Sequence, residues 1–202
     1  LLAEKLEIIG CEEVLINTHY LSSQIEKEIK KWDQTNLKLK IIYEKELLGT
    51  AGTLRNNLDF FRNSNTLLIH TDNYTDLNLI EFLDSFYARH NSCLLSMVTF
   101  TTNKPKECGI VKTNKDGVLI DYFEKVPNPP SNLANGAIFA FDDDFLKYLS
   151  KLSDKHNDFC ADIVPHLKGK IQTYFTNCFF IDIGTPNSLK LACEFAKNKE
   201  NE

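Results

Sequence analysis

The sequence lacks several patterns that would each point to a particular class of protein. It has no Cys-X-X-Cys pair and no His-Glu-X-X-His motif, so the common sequence signatures of zinc sites are absent. It also has no apolar run long enough to span a bilayer, no signal peptide and no internal repeat. We therefore predict a globular α/β protein without a membrane partner.

Clustered positive charge is missing as well. The 202 residues carry 23 basic and 28 acidic side chains, which gives a formal net charge of -5. No basic stripe of the kind that nucleic acid requires is visible, so we expect no nucleic-acid partner. An acidic protein that handles phosphates must place its few cations or metal ions locally.

The six cysteines are scattered and several lie inside apolar runs. A chain of this length can build a core without disulfides, so we interpret them as thiols in a reducing compartment and predict a cytoplasmic protein. A homo-oligomer is compatible with the sequence.

Helical and strand patterns alternate along the chain, which is typical of a sheet flanked by helices. The fold class predicted is α/β and Rossmann-like, with three layers, a mixed and mainly parallel sheet, and helices on both faces, in a single domain covering 1–202. The continuous apolar run 66–70 predicts a central buried strand. Ser23 with Glu26 predicts a capped helix that reaches Trp32, and Asp76 predicts the cap of a later helix.

The segment 105–140 differs from the rest. Two apolar strands flank the turn sequence at 114–117 (NKDG), which predicts a β-hairpin. A proline-containing loop and a further strand follow.

Two aspartates are candidate metal ligands. Asp72 follows an apolar strand, where open α/β sheets bind their ligands, and Asp182 lies at an apolar strand end before a helix. We expect Asp182 to be buried and to need a partner or a cation. Mg²⁺ requires only one or two protein carboxylates when phosphates supply the rest. Turn or cap formation by Asp72, and helix-terminus bonding by Asp182, are the alternatives from these residues alone.

Other candidates are ambiguous by themselves. Gly109 and Gly136 suit close backbone approach to a ligand or a bulge, and Asn135 is an amide that needs partners in an apolar strand. The neighbouring Glu124 and Lys125 read alone as a solvated charge pair. The small-residue segment 48–52 is predicted to be a loop that could admit a planar base against the backbone.

Seven short segments occur in an order that resembles the sugar-phosphate nucleotidyltransferase family, especially its mannose-1-phosphate guanylyltransferase-like members. The segments are 16–20 (INTHY), 46–52 (ELLGTAG), 72–73 (DN), 109–111 (GIV), 123–125 (FEK), 135–139 (NGAIF) and 182–186 (DIGTP).

The resemblance implies a role for each candidate residue. Asp72 and Asp182 would hold a catalytic Mg²⁺, and Lys125 would bind the sugar 1-phosphate. Sugar-hydroxyl and backbone contacts would come from Glu124, Asn135, Gly109 and Gly136 within the 105–140 hairpin region, and nucleobase contacts from Gly49, Thr50 and Gly52. The implied reaction joins an NTP, in these members GTP, to a mannose- or heptose-like sugar 1-phosphate and releases pyrophosphate.

The sequence departs from the family at two places. His70 and Thr71 precede Asp72 where the family more often has Gly-Asp, and the family's N-terminal glycine-rich segment is not in this sequence. Since the chain opens within a helical pattern, we expect a segment to precede Leu1 in the complete protein, and the truncated chain alone to be inactive. The alternative functions are a non-catalytic nucleotide-sugar sensor and a glycosyltransferase of related fold.

Overall fold

The computed structural model describes residues 2–31 and 35–200. The α-helices are α1 Leu2–Ile8, α2 Ser22–Ile29, α3 Gly49–Asn56, α4 Leu58–Phe61, α5 Leu79–Tyr87, α6 Asp143–Leu149 and α7 Pro186–Glu200. The strands are β1 Glu13–Thr18, β2 Lys38–Tyr43, β3 Thr66–Ile69, β4 Asn73–Thr75, β5 Leu95–Thr101, β6 Gly109–Thr113, β7 Leu119–Glu124, β8 Leu133–Phe141, β9 Ile171–Thr176 and β10 Phe180–Asp182. Short 3₁₀ turns cover Pro105–Glu107 and Val164–Leu167, and a π-helix covers Phe159–Ile163.

A six-stranded mixed sheet forms the centre of the fold. Its strands follow the order β7-β6-β8-β5-β9, and β3 also pairs with β8. Strand β8 is antiparallel to β3, β5 and β6, while β5 and β9 are parallel. Strands β3, β5, β6 and β9 therefore share one direction, and β7 and β8 run in the other. The predicted mixed α/β fold class is confirmed.

Helices cover both faces of this sheet because alternate side chains of β8 point to opposite sides. Phe139 and Phe141 pack in a core with α3, α6 and the segment 159–167. Ile138 and Ala140 pack in a second core with α1 and α5. The sheet is thus the middle of three layers, as the sequence predicts.

Among the described residues, the run 66–70 forms strand β3 and does not take the central, fully buried place that the sequence predicts. Strand β3 pairs with β8 on one side, and its other edge has no strand partner among the described residues. Leu67, Leu68 and Ile69 are only half-buried. An apolar run indicates that a segment favours burial. The place of that segment in the sheet depends on which strands flank it.

Two further pairs of strands lie outside the central sheet. Strands β1 and β2 form a parallel pair, and β4 and β10 form an antiparallel pair. The second pair is important for function because it brings the segment that follows β3 against the segment before α7.

The predicted hairpin turn is confirmed, and the structure also shows two helix caps. The turn between β6 and β7 has Gly117 at φ 76°, and the Asn114 side chain accepts hydrogen bonds from Asp116 and Val118. Asp142 caps α6, and Thr185 Oγ1 accepts from the Ser188 amide at the start of α7.

Three local predictions need correction. The residue before α2 is Leu21, which makes no side-chain cap, and α2 ends at Ile29, while Trp32 lies outside the described residues. The cap of α5 is Asn78. The Asp76 carboxylate instead accepts a hydrogen bond from the Phe179 amide and forms an ion pair with Lys199. The predicted loop 48–52 is largely the first turn of α3, which begins at Gly49.

Within residues 2–31 and 35–200, none of the helices combines the length and the apolar character that crossing a bilayer requires.

Loss of the α5 cap should measurably destabilise the protein. Asn78 Oδ1 accepts from the Ile80 and Glu81 amides, and such a cap contributes about 1 kcal/mol. We expect Asn78→Ala to lower the free energy of unfolding by about that amount in a urea titration. The control is Asn91→Ala, at an exposed asparagine with no side-chain partner among the described residues, and should change it by less than about 0.5 kcal/mol. Equal effects of the two variants would contradict the assigned cap.

Candidate functional site

An irregularity in β8 lies at the centre of the candidate site. Met97 and Thr99 of β5 pair with Phe139 and Asn135 of β8. An advance of two residues along β5 therefore corresponds to an advance of four residues along β8. The extra residues are accommodated by Ala137, which has φ 51°, a conformation that costs a non-glycine residue free energy. The Asn135 side chain supports this bend, since its Oδ1 accepts from the Ala137 amide at 2.8 Å.

Gly136, within this bend, lies beneath an aromatic ring. A Cβ atom at Gly136 would lie 2.9 Å from Cζ of Phe180, the first residue of β10. The absent side chain therefore lets β10 pack on the bend. Because β10 ends at Asp182, this contact helps to set the position of that carboxylate.

The β4–β10 pair places the backbones of Asp72 and Asp182 next to each other. Asp182 is the register partner of Asn73, and the Ile183 amide donates to the Asp72 carbonyl at 2.8 Å. The Asn73 side chain donates in turn to the Gly136 carbonyl at 3.4 Å. Residues 110 positions apart in the sequence thus lie on adjoining backbones beside the β8 bend.

The expectation that Asp182 is buried is wrong. Both aspartates are exposed, and Asp182 Oδ1 accepts from the Gly184 amide at 2.6 Å. The strand ends at this residue, so its side chain projects from the end of the sheet rather than into a core. The hydrogen bond to Gly184 lies in the turn before α7 rather than at the helix terminus, and it leaves the second oxygen of the carboxylate for another ligand.

The donor set at this point fits a magnesium ion that phosphates help to bind. Among the residues that the structure describes, no three His, Cys, Asp or Glu side chains are arranged to hold a metal by themselves. Two exposed carboxylates on adjoining backbones match the hard oxygen ligands that Mg²⁺ takes when substrate phosphates and water complete its shell.

Four residues form a polar cluster on the hairpin side of the bend. The Tyr122 hydroxyl donates to Glu124 Oε2 at 2.6 Å and accepts from Asn135 Nδ2 at 3.3 Å. Asn135 Nδ2 also lies 3.3 Å from Cys160 Sγ. Glu124 and Asn135, which the resemblance assigns to sugar hydroxyls, are thereby linked.

Gly109 lies against the same cluster. It is the register partner of Glu124, and a Cβ there would lie 1.9 Å from the Tyr122 hydroxyl oxygen. No other residue type fits this position while Tyr122 keeps its place.

Lys125 follows β7 with φ 46°, a second strained non-glycine residue at the site. Its amide donates to the Cys108 carbonyl, and its Nζ lies 3.9 Å from Glu124 Oε1. The side chain is 66% exposed, so the ammonium group is accessible to an anion. The screened pair with Glu124 contributes little stability at such exposure.

The glycine segment at the start of α3 packs against the chain before the π-helix. A Cβ at Gly49, where φ is 71°, would lie 2.4 Å from the Asn157 carbonyl oxygen. That carbonyl accepts from Ala51 and Gly52, and Thr50 Oγ1 accepts from the Phe159 amide at 2.9 Å. Phe159 contacts Thr50, and the next residue, Cys160, contacts Asn135. These two consecutive residues therefore link the segment 49–52 to Asn135.

Glu44 supports this segment and was not identified from the sequence. Its carboxylate is buried, at 5% exposure, and accepts from Thr53 Oγ1 at 2.5 Å and from the Leu48 amide at 3.3 Å. The residue follows the polar-leaning strand β2, and nothing in its spacing distinguishes it from the exposed acidic residues nearby.

Tyr122 and Cys160 were also missed. The only sequence signal for Tyr122 is its spacing of two from Glu124, which places both side chains on one face of β7. Burial, with smaller contributions from Glu124 and Asp158, raises the pKa of the Cys160 thiol to about 12. Burial, then Cys160 and Glu124, raises the pKa of the Tyr122 phenol, so both groups stay protonated.

Two open grooves, of about 390 and 440 Å³, lie along β2, α3 and α4. The first begins at Leu48, beside the glycine segment, and extends to Asn57. Neither groove is lined by Asp72, Glu124, Lys125, Asn135 or Asp182.

The sequence profile of the family described as "Nucleotidyl transferase" matches residues 2–199. The chain belongs to this family. Among curated relatives, it is 27% identical to the glucose-1-phosphate adenylyltransferase of Clostridium acetobutylicum over 70% of this chain and 40% of that protein. It is 22% identical to the mannose-1-phosphate guanylyltransferase of Mycobacterium tuberculosis over 92% of this chain and 52% of that protein. It therefore spans about half the length, or less, of these nucleotidyl transferases.

Two solved structures illustrate the similarity in fold. A putative glucose-1-phosphate thymidylyltransferase from Bacillus anthracis superimposes with a TM-score of 0.83 at 18% identity, over 95% of this chain and 79% of that one. HddC from Yersinia pseudotuberculosis complexed with GMP-PN gives a TM-score of 0.76 at 24% identity, over 95% and 81% of the two chains. At these identities the likeness establishes the fold of this nucleotidyl transferase chain.

A side chain at Gly49 should disrupt the site by steric overlap. We expect Gly49→Ala to lower the free energy of unfolding by about 2 kcal/mol or more, because the new methyl group meets the Asn157 carbonyl and φ is positive. Gly169→Ala is a matched control, with φ 77° but no atom within 4 Å of the added Cβ. It should cost about 1 kcal/mol, the backbone contribution alone. Equal losses in urea titrations would contradict the close approach of Asn157.

The cysteines should differ in reactivity at neutral pH. With its pKa raised to about 12, Cys160 should resist iodoacetamide at pH 8, whereas exposed Cys193 should be alkylated. Raising the pH toward that pKa should increase labelling of Cys160 while the fold persists. Peptide mass spectrometry measures both sites in one sample, and equal labelling of the two at pH 8 would contradict the burial of Cys160.

Proposed function

We propose that this protein is a sugar-1-phosphate nucleotidyltransferase, which joins an NTP to a sugar 1-phosphate and releases pyrophosphate. The observation that carries the proposal is the connection of the candidate residues through the bend at 135–137 of β8. Asp72 and Asp182 lie on its one side, Glu124 and Lys125 on another, and the segment 49–52 on a third. Membership of the nucleotidyl transferase family supports the same conclusion.

The reaction needs positioning and charge neutralisation more than covalent assistance. A phosphate oxygen of the sugar 1-phosphate attacks the α-phosphorus, a new O–P bond forms, and the bond from the α-phosphorus to the bridging oxygen breaks as pyrophosphate leaves. Two polyanions must approach each other, and a net charge of -5 on the protein opposes this. Local positive charge must therefore stabilise the transition state.

Lys125 supplies part of that charge in this proposal. Its exposed ammonium group would bind the phosphate of the sugar 1-phosphate, and its fixed backbone conformation limits where the side chain can reach. Glu124, with Asn135, Gly109 and Gly136 beside it, would contact the sugar. The residues Gly49, Thr50 and Gly52 would contact the nucleobase.

Asp72 and Asp182 are the residues that would hold Mg²⁺. When bound, the ion would neutralise phosphate charge and polarise the phosphorus–oxygen bonds. The exposure of both carboxylates is compatible with a shell completed by phosphate oxygens and water.

GTP and a mannose- or heptose-like sugar 1-phosphate are the proposed substrates. In support, the relative named mannose-1-phosphate guanylyltransferase matches 92% of this chain, against 70% for the adenylyltransferase. Adenylyl and thymidylyl names among the similar proteins make ATP and dTTP the first alternatives to test.

The experiment measures pyrophosphate release by the full-length protein with Mg²⁺, using a panel of NTPs against a panel of sugar 1-phosphates. We expect release to depend on one preferred pair and to fall about a hundredfold or more in Asp182→Ala and in Asp72→Ala. Removal of divalent metal with EDTA should abolish it.

Asp84→Ala serves as the control, since it removes an exposed carboxylate on α5 and should leave the rate unchanged. Full activity in Asp182→Ala would contradict the assigned metal site. Absence of pyrophosphate release with retained nucleotide-sugar binding would favour the non-catalytic sensor, and transfer of sugar from a nucleotide sugar would favour the glycosyltransferase.

A further inference from the structure

Tyr122 lies at the centre of the polar cluster, although its hydroxyl is not among the groups assigned to a substrate. The residue is 7% exposed, and its hydroxyl joins Glu124 on one side to Asn135 on the other. A buried polar group with both partners satisfied contributes conformational specificity as well as stability.

Strand β6 confines the hydroxyl on its remaining side. A Cβ at Gly109 would lie 1.9 Å from the Tyr122 hydroxyl oxygen and 2.7 Å from Glu124 Oε2. The phenol therefore fills the space that a side chain at position 109 would occupy. Its position is fixed by the pairing of β6 with β7 as well as by hydrogen bonds.

The two carboxylate oxygens of Glu124 have different partners. Oε2 accepts from the hydroxyl at 2.6 Å, while Oε1 lies 3.9 Å from Lys125 Nζ. A free glutamate side chain rotates among several conformers, and ordering it on binding costs affinity. The bond to Tyr122 selects one conformer before the substrate arrives.

Protonation keeps this arrangement constant. Burial is the main cause of the raised pKa of the Tyr122 phenol, and the nearby Cys160 and Glu124 add to it. The hydroxyl therefore remains a donor to Glu124 throughout the neutral and mildly alkaline range.

We propose that Tyr122 is a positioning residue for the sugar 1-phosphate. Its hydroxyl orients the Glu124 carboxylate, and with it Asn135, so that Glu124 Oε1 accepts a hydrogen bond from one sugar hydroxyl. The inference rests on the proposed function. It adds a requirement for specificity, since an ionised carboxylate only accepts and the sugar must donate at that position.

The test compares Tyr122→Phe with the unaltered full-length protein. The substitution removes only the hydroxyl, so the fold is retained. We expect the KM for the sugar 1-phosphate to rise about tenfold, because a pre-ordered hydrogen bond to a charged group is lost. We expect kcat and the KM for the NTP to change by less than about twofold, since neither reacting phosphate contacts this hydroxyl.

A matched control is Tyr174→Phe. The Tyr174 hydroxyl also donates to a glutamate, Glu81 Oε2, at 3.1 Å, but this pair joins β9 to α5 outside the site. Loss of a tyrosine–glutamate bond there should leave both KM values unchanged. A rise in the sugar KM in Tyr174→Phe equal to that in Tyr122→Phe would overturn the positioning role and favour a general structural effect.

Monodeoxy sugar 1-phosphates provide a second measurement. One analogue, lacking the hydroxyl that Glu124 binds, should have a raised KM with the unaltered protein and little additional loss with Tyr122→Phe. The assignment would be overturned if the effects of Tyr122→Phe and of the missing hydroxyl on KM were additive for every analogue. An unchanged sugar KM in Tyr122→Phe would also overturn it.

The proposed function can fail separately from this inference. If no pair of substrates gives pyrophosphate, the same comparison is made with dissociation constants for a nucleotide sugar, measured by calorimetry. Weaker binding by Tyr122→Phe, with unchanged binding by Tyr174→Phe, would then support the positioning role in a non-catalytic protein. If the unaltered protein also fails to bind nucleotide sugars, both proposals are overturned.

Discussion

The bend in β8 at residues 135–137 is the constraint on which the rest of the candidate site depends. A regular strand would continue its pairing with β5 without the register shift seen between Met97 and Thr99. Ala137 adopts φ 51°, and the Asn135 side chain compensates by accepting from the Ala137 amide. Strain of this kind persists only where surrounding contacts fix it, and here three separate segments of the chain do so.

Glycine positions around the bend serve contacts within the protein. Each of three glycines admits a neighbouring group at a distance that no Cβ atom would tolerate: Gly49 admits Asn157, Gly109 admits Tyr122 and Gly136 admits Phe180. These glycines, which lie in the segments that resemble the family, therefore determine how closely the elements approach one another. In the proposed enzyme, they position the ligand-binding groups whether or not they also contact a substrate.

Charge is distributed in a way that suits an acidic protein with anionic substrates. The groups proposed to meet phosphate or metal, Lys125, Asp72 and Asp182, are exposed and therefore accessible to a ligand. Tyr122 and Cys160, which both contact Asn135, are protonated and neutral because burial raises both pKa values. Neutral buried groups keep the cluster ordered without adding to the repulsion of a second anion.

The sequence by itself determined the alternation of helices and strands, the mixed α/β class and the hairpin turn at 114–117, because these depend on periodicity and on local backbone chemistry. The order of its short segments also indicated the family. Only the tertiary structure decided that β3 pairs with β8 alone among the described residues, that Asp182 is exposed, and that Tyr122 links Glu124 to Asn135. Burial and side-chain partners arise from strands and loops far apart in the chain, and no local pattern records which of them meet.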